Sequence, residues 1–304
     1  MPTNVQRTTL SFPLIGAVEV QQFHSLGSGS FGEVFLATEL ETERAIAVKT
    51  MHNNATPPEQ HVREICEREA ALHLTIPDHP NVLRALDSLS ADAVGRYSDF
   101  PILAVELVDG ETLGDQVLRY GAFGWARACS VLQQLCAAVS HVHASKILHL
   151  DITPANIISD VECGVIKLFD FNASCSLDPA RSWDVDCYTL GNPVFSAPEK
   201  LTGRPGTESD LYSVAVTFFT VATGLLPMSF MALECIRERD IWEESRAVCA
   251  GGQRLDLERR PGPTLSEEAV LFFRKALAPD PKDRFPDAAS LAREAGAIRS
   301  WSSS

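Results

Sequence analysis

From about Val20 to Lys49 the apolar residues come in short runs cut by glycines, and beyond Asp109–Gly110 they come in helical runs. This change of pattern constrains the fold most, because side chains alternate faces along a strand and recur every three to four residues along a helix. In SFGEVFLATEL, Phe31, Val34, Phe35 and Leu36 are set among small or polar positions, and RAIAVKT is a compact apolar strand. Thr56, Pro57, Pro58 and Glu59 read as a helix start. The charged stretch after it, to Ile76, carries a narrow apolar stripe through Ile65, Leu72 and Ile76. Strands follow near Leu83–Leu89 and Pro101–Val108. Helices are expected over Thr112–Tyr120 and Phe123–Ser145, then strands and turns over Ile147–Phe169. After a stretch rich in Pro, Ser and Asp, helical patterning returns at Glu208–Thr223, Ser266–Ala278 and Pro286–Ala297. The reading is α+β with two lobes: a β-rich one with a single main helix over 20–108 and a larger helical one over 109–298. A leader (1–19) and a tail (299–304) flank them.

Composition removes several classes. A chain that is 45% hydrophobic and 22% charged is not disordered. A net charge of −14 argues against a nucleic-acid binder, which needs clustered Lys and Arg. The eight cysteines include no CxxC pair, so a zinc knuckle is not expected and a reducing compartment is. No run approaches the ~18 apolar residues of a membrane span. Position 2 is Pro, where myristoylation needs Gly. The expectation is a cytoplasmic protein without membrane or nucleic-acid partners.

Four segments carry chemistry. Gly27-Ser28-Gly29-Ser30-Phe31-Gly32 lets the backbone approach a polyphosphate closely. The residues after it read as strand, which favours a glycine hairpin over a dinucleotide loop opening a helix. Lys49 ends the apolar strand AIAVK, where its charge is costly unless used or led to water. In His149-Leu150-Asp151-Ile152-Thr153-Pro154-Ala155-Asn156, Asp151 can take or orient a hydroxyl proton and Asn156 can offer an amide oxygen. Asp170, in Lys167-Leu168-Phe169-Asp170-Phe171, adds a carboxylate. Asn156 and Asp170 are thus the hard oxygen pair that Mg²⁺ prefers beside phosphates.

With Ala197-Pro198-Glu199, Asp210 in SDLYSVAV and Arg284 in PDPKDRF, this order of motifs resembles the eukaryotic-type protein kinases, from about Phe23 to Ala295. The resemblance implies the two-lobed kinase fold, ATP and Mg²⁺ as cofactors, and a protein substrate phosphorylated on Ser or Thr. It implies that Lys49 holds the α- and β-phosphates and pairs with Glu69, with Glu64 and Glu67 as rivals. Asp151 would take the substrate hydroxyl's proton, and Asn156 and Asp170 would bind Mg²⁺. The glycine loop (Gly27 to Gly32) would cover the phosphates. Leu26, Val34, Ala47 and Ile158 would enclose the adenine, and Glu106, Leu107 and Val108 would meet its edge. Val105 would stand at the back, where its small size predicts a reachable rear cavity. Glu199 and Arg284 would brace the large lobe, and Asp210 would cap the catalytic loop from below. Glu111 or Asp115 could meet the ribose or a basic substrate residue.

Four positions depart from the family pattern. Leu150 replaces the Arg that answers an activation-segment phosphate, so no phosphate is expected to be needed at Ser182 or Thr189. Thr153 replaces the usual catalytic-loop Lys, and Ala155 is not the Arg of tyrosine kinases. Asn172 replaces the Gly after Asp-Phe, and Asn192 replaces a Thr, which invites a Thr153–Asn192 pairing. His73, one turn past Glu69, reads as a packed or hydrogen-bonded core residue, and His141 and His143 as structural or surface side chains. A nucleotide-binding pseudokinase is the alternative reading.

Overall fold

A computed structural model of the chain describes residues 7–28, 32–51, 59–90, 101–160, 163–178, 190–227 and 265–302. The chain divides into two compact units. The first is built on Met1–His79 and Leu83–Asp109, the second on Pro80–Val82, Gly110–Ser182 and Asp186–Ser304.

Among the described residues of the first unit, six antiparallel strands form one sheet. They are β1 (Arg7–Phe12), β2 (Gly16–Ser28), β3 (Gly32–Glu39), β4 (Ala45–Met51), β5 (Ala85–Leu89) and β6 (Ile102–Glu106), in the order β1-β2-β3-β4-β6-β5. One face is apolar: Leu10, Phe12, Val18, Val20, Phe35, Ala37, Ile46, Val48 and Ala104 pack as a single cluster. Burial alternates along β3, as a sheet with one covered face requires. Helix α1 (Glu59–His73) buries Val62, Ile65, Cys66, Glu69, Ala70, Leu72 and His73. The expected leader was given no element, yet β1 and the first turns of β2 lie inside it. Alternation in Thr8–Phe12 is short, and its pairing to β2 is held by Asp87 of β5, whose Oδ2 accepts from the Leu14 and Ile15 amides in the β1–β2 turn.

The second unit is helical, with short sheets. It comprises β7 (Gly110–Thr112), α2 (Leu113–Tyr120), α3 (Trp125–Ala144), β8 (Ile147–Leu148), β9 (Ile157–Asp160), β10 (Ile166–Leu168), β11 (Cys175–Ser176), α4 (Pro198–Leu201), α5 (Thr207–Thr223), α6 (Glu267–Ala276) and α7 (Ala288–Ala297). The strands pair as β10-β9-β7 and β11-β8. Helix α5 is buried from Ser209 to Ala222 on all sides, the mark of a central helix. It brings Phe218 and Phe219 against Trp125, Phe273 and Trp301. Trp301 lies in the expected tail, but it is buried and stacked on Trp125 with centroids 5.0 Å apart. An aromatic ring of this size contributes more by packing than a short polar tail costs to order. Among the described residues no helix is long and apolar enough to cross a membrane.

Candidate active site

In the first unit the glycine segment joins β2 to β3, with Gly27 opposite Val34 and Ser28 opposite Glu33. Gly29, Ser30 and Phe31 lie outside the described residues. Gly32 is buried and Leu26 is exposed. Ala47, on β4 opposite Leu36, packs with Ala70, Leu103 and Val105, and Val34 and Leu107 lean on the same cluster. Glu106 closes β6: its N–H donates to the Arg84 carbonyl and its carboxylate accepts from the Arg84 N–H. Leu107 and Val108 follow, half-buried and outside any strand.

Lys49, on the same strand as Ala47, extends its ammonium to both oxygens of Glu69, at 2.7 Å and 3.0 Å. The register of α1 decides between the candidate glutamates. Glu69 is buried on the inner face, whereas Glu67 is exposed and pairs with Arg63 one turn away. A small cavity beside the pair is lined by Lys49, Cys66, Glu69, Ala70, Pro101 and Leu103. Burial and the Glu69 charge push the Cys66 thiol up to about 12, so Cys66 stays a neutral, unreactive thiol. His73 hydrogen-bonds through Nε2 to the Leu83 carbonyl at 2.6 Å, tying α1 to the approach of β5.

In the second unit the loop His149–Asn156 follows β8. Asp151 Oδ2 accepts from the Asn156 amide nitrogen at 2.7 Å, and the same nitrogen reaches the Asp151 carbonyl at 2.9 Å. Asp151 Oδ1 accepts from the Asn192 N–H at 2.8 Å. Burial raises the Asp151 pKa, and the Asp170 charge adds to this, while the Asn192 N–H and the Lys200 ammonium pull the other way. His149 is fixed from both sides: its Nε2 faces the Phe169 carbonyl at 3.1 Å and its Nδ1 accepts from the Asp151 N–H at 3.3 Å. Burial lowers its pKa, which agrees with a neutral ring that donates at one nitrogen and accepts at the other. Asp170 has a left-handed backbone, φ 67°, and accepts from the Asn172 amide at 2.6 Å. The positive φ thus falls on Asp170 and not on Asn172, so Asn172 carries no backbone strain and steadies the carboxylate instead. Ile158, half-buried on β9, stands opposite Lys167 and Thr112.

These donors fit magnesium. Asn156 spends its nitrogen on Asp151 and presents an oxygen, and Asp170 supplies a carboxylate. Among the described residues no group of three or more His, Cys, Asp or Glu could hold a metal by itself. Two hard protein oxygens completed by phosphates and water are what Mg²⁺ takes in phosphoryl-transfer sites.

Beneath the loop, Asp210 of α5 accepts from the His149 and Leu150 N–H groups at 2.9 Å and 2.8 Å and pairs with His143 at 2.8 Å. Burial alone would push Asp210 up, but its bond to His143 and the nearby charges outweigh this and hold it below the usual range. Arg284 grips Glu199 with two nitrogens, at 2.7 Å and 2.8 Å, and also reaches the Ala278, Pro279 and Glu208 carbonyls. Glu111 pairs with Arg119, and Asp115 caps α2 through Thr112, so both acids serve local structure.

The family model described as "Protein kinase domain" matches residues 20–294. The chain belongs to the protein kinase family. It is 31% identical over 273 residues to "Probable serine/threonine-protein kinase MARK-C" of Dictyostelium discoideum, covering 89% of this chain and 32% of that protein. Serine/threonine-protein kinase PrkC of Bacillus subtilis is 25% identical over 267 residues (88% and 38%). Serine/threonine-protein kinase pkn2 of Myxococcus xanthus is 35% identical over 207 residues (66% and 24%). The chain therefore spans well under half the length of these three kinases.

Where the chain departs from the kinase pattern, its side chains have definite surroundings. Leu150, also left-handed at φ 62°, packs with Leu148 and Ala173 against Cys175 and Leu190. That position therefore presents an apolar group and no cation. Thr153 is buried. Asn192, besides its N–H bond to Asp151, accepts the Val194 N–H on its side chain. Lys200, two residues past Pro198 and passed over by motif reading, is buried on α4. Its ammonium donates to the Leu150 carbonyl at 2.5 Å, the Leu190 carbonyl at 2.8 Å and Ser196 Oγ at 3.0 Å. The signal in the sequence was indirect: a kinase loop without its lysine, and an unexplained lysine inside the helix that begins at Pro198.

Proposed function

We propose that the chain transfers the γ-phosphate of Mg-ATP to Ser or Thr hydroxyls of protein substrates. The observation that carries this reading is the fixed Asp151 carboxylate, held by the Asn156 amide and the Asn192 N–H in a loop anchored on Asp210. A base or orienting group contributes to rate when it is held at the position where the proton is taken. Asp151 would orient the substrate hydroxyl and accept its proton. Lys49, kept extended by Glu69, would hold the α- and β-phosphates. Asn156 and Asp170 would hold Mg²⁺, which when bound neutralises charge on the phosphates. Val34, Ala47 and Val105 offer an apolar surface suited to an adenine ring, and Glu106 and Val108 offer backbone groups for its edge.

A nucleotide-binding scaffold without transfer is the competing reading, favoured by the buried Thr153 where the family has a cation. The test is incubation of the purified chain with γ-labelled ATP, Mg²⁺ and protein substrates, followed by phosphoamino-acid analysis. Phosphoserine or phosphothreonine is the expected product. Nucleotide binding with no label on any acceptor would establish the scaffold, and label on metabolites alone would point to a small-molecule kinase.

A further inference from the structure

The loss of the catalytic-loop lysine leaves a question the second unit answers in its own residues. Lys200 brings an ammonium to the same loop from α4. It is 2% exposed, and it hydrogen-bonds to the residue just before Asp151 and to Leu190 and Ser196, on either side of Asn192. Gly191 shows how near this cation comes to the carboxylate. A Cβ on Gly191 would stand 2.9 Å from Asp151 Oδ1 and 2.9 Å from Lys200 Nζ. The two charged groups are therefore within about 6 Å, the range over which opposite charges stabilise each other's ionised forms. Gly191 has φ 85°, so the backbone there requires glycine for conformation and for space alike.

We propose that Lys200 is a relocated loop cation: a positioning residue that replaces the lysine absent at position 153 by bracing Asp151 and the segment 190–196 together. It acts through Asp151 and the loop backbone. Its burial and its carbonyl and hydroxyl partners keep it from serving as a phosphate ligand. A buried ammonium is costly unless satisfied, and here its hydrogen bonds and an adjacent carboxylate meet that cost. Thr153, small, neutral and buried, is then compatible with an ordered loop because the charge comes from another direction. This inference rests on the kinase reading above.

The test compares wild type, Asp151→Asn, Lys200→Gln, Lys200→Met and the double variant Thr153→Lys/Lys200→Gln in labelled-ATP turnover. Lys200→Gln keeps an N–H donor, on a side chain one bond shorter, and removes the charge. It should lower kcat by about tenfold or more, as misplacement of a reacting group does, while KM for ATP moves little. Thr153→Lys should recover a large part of the lost kcat. Lys200→Met, which removes donors as well, should lose more, and should also lower the unfolding midpoint. A Lys200→Gln enzyme with unchanged kcat overturns the inference and leaves the kinase reading intact. So does a loss of kcat that accompanies a lowered unfolding midpoint, with no recovery by Thr153→Lys. A wild-type signal no higher than that of Asp151→Asn removes the kinase reading and this inference with it.

Discussion

The Asn156 amide donates to both the carbonyl and the carboxylate of Asp151, so one side chain fixes the proposed base and its own oxygen takes no part in that contact. Replacing Asn156 by Ala would remove both bonds and one proposed magnesium ligand. Turnover should fall by at least about 10²-fold, as when one oriented polar group is deleted from an active site. Raising Mg²⁺ should recover part of the loss, because ligand removal weakens metal binding. Kinetics across a magnesium titration check this, and a defect independent of Mg²⁺ would assign Asn156 to loop structure alone.

Lys49 and Glu69 form a second fixed pair. Glu69→Gln keeps the shape and removes the charge that holds the ammonium. A roughly tenfold or larger fall in kcat/KM is expected. Glu67→Gln, at an exposed position paired only with its neighbour, should stay within twofold or so. Parallel steady-state measurements separate the two glutamates.

Burial raises the Asp151 pKa, so the proposed proton acceptor gains its proton at a higher pH than an ordinary Asp near ~4. The acidic limb of kcat/KM should therefore lie above that value and should be absent from the residual activity of Asp151→Asn. A pH–rate profile tests this.

Stability should follow two carboxylates held low. Burial opposes, but Arg284 and Ser209 hold Glu199 below its usual range, and His143 does so for Asp210. Groups with depressed folded pKa contribute stability above the unfolded value near ~4 and lose it as pH falls through the folded value. Urea midpoints should thus decline steeply only in the acid range. Glu199→Gln, which leaves a buried guanidinium without its charge partner, should cost about 3–5 kcal/mol at neutral pH.

Leu150 sits in an apolar cluster, so a phosphate on the activation segment finds no cation at that position. Ser182→Ala and Thr189→Ala, at positions outside the described residues, should leave activity within a few-fold. A loss of two decades in the double variant would contradict this.

Sequence order carried the charged skeleton of the site because each of those residues sits in a local motif. Lys49 ends an apolar strand, Asp151 and Asn156 share one loop, and Asp170 follows another strand. The choice of Glu69 over Glu64 and Glu67 needed the helix register, since the three lie close together in a strongly charged sequence with only a narrow apolar stripe. Asn172 stood out only as a replaced Gly, and its amide bond to Asp170 needed the structure. Lys200 was invisible because its meaning is a contact 50 residues distant, to the Leu150 carbonyl. Trp301 and β1 were hidden for a similar reason: short terminal segments show little periodicity, and only their packing partners, Trp125 and Asp87, give them structure.

The most direct measurement is turnover of γ-labelled Mg-ATP onto a protein substrate by wild type and Asp151→Asn from matched preparations. The account predicts transfer to Ser or Thr by wild type and a fall of at least about 10²-fold in the variant. Equal signal from the two proteins would contradict it.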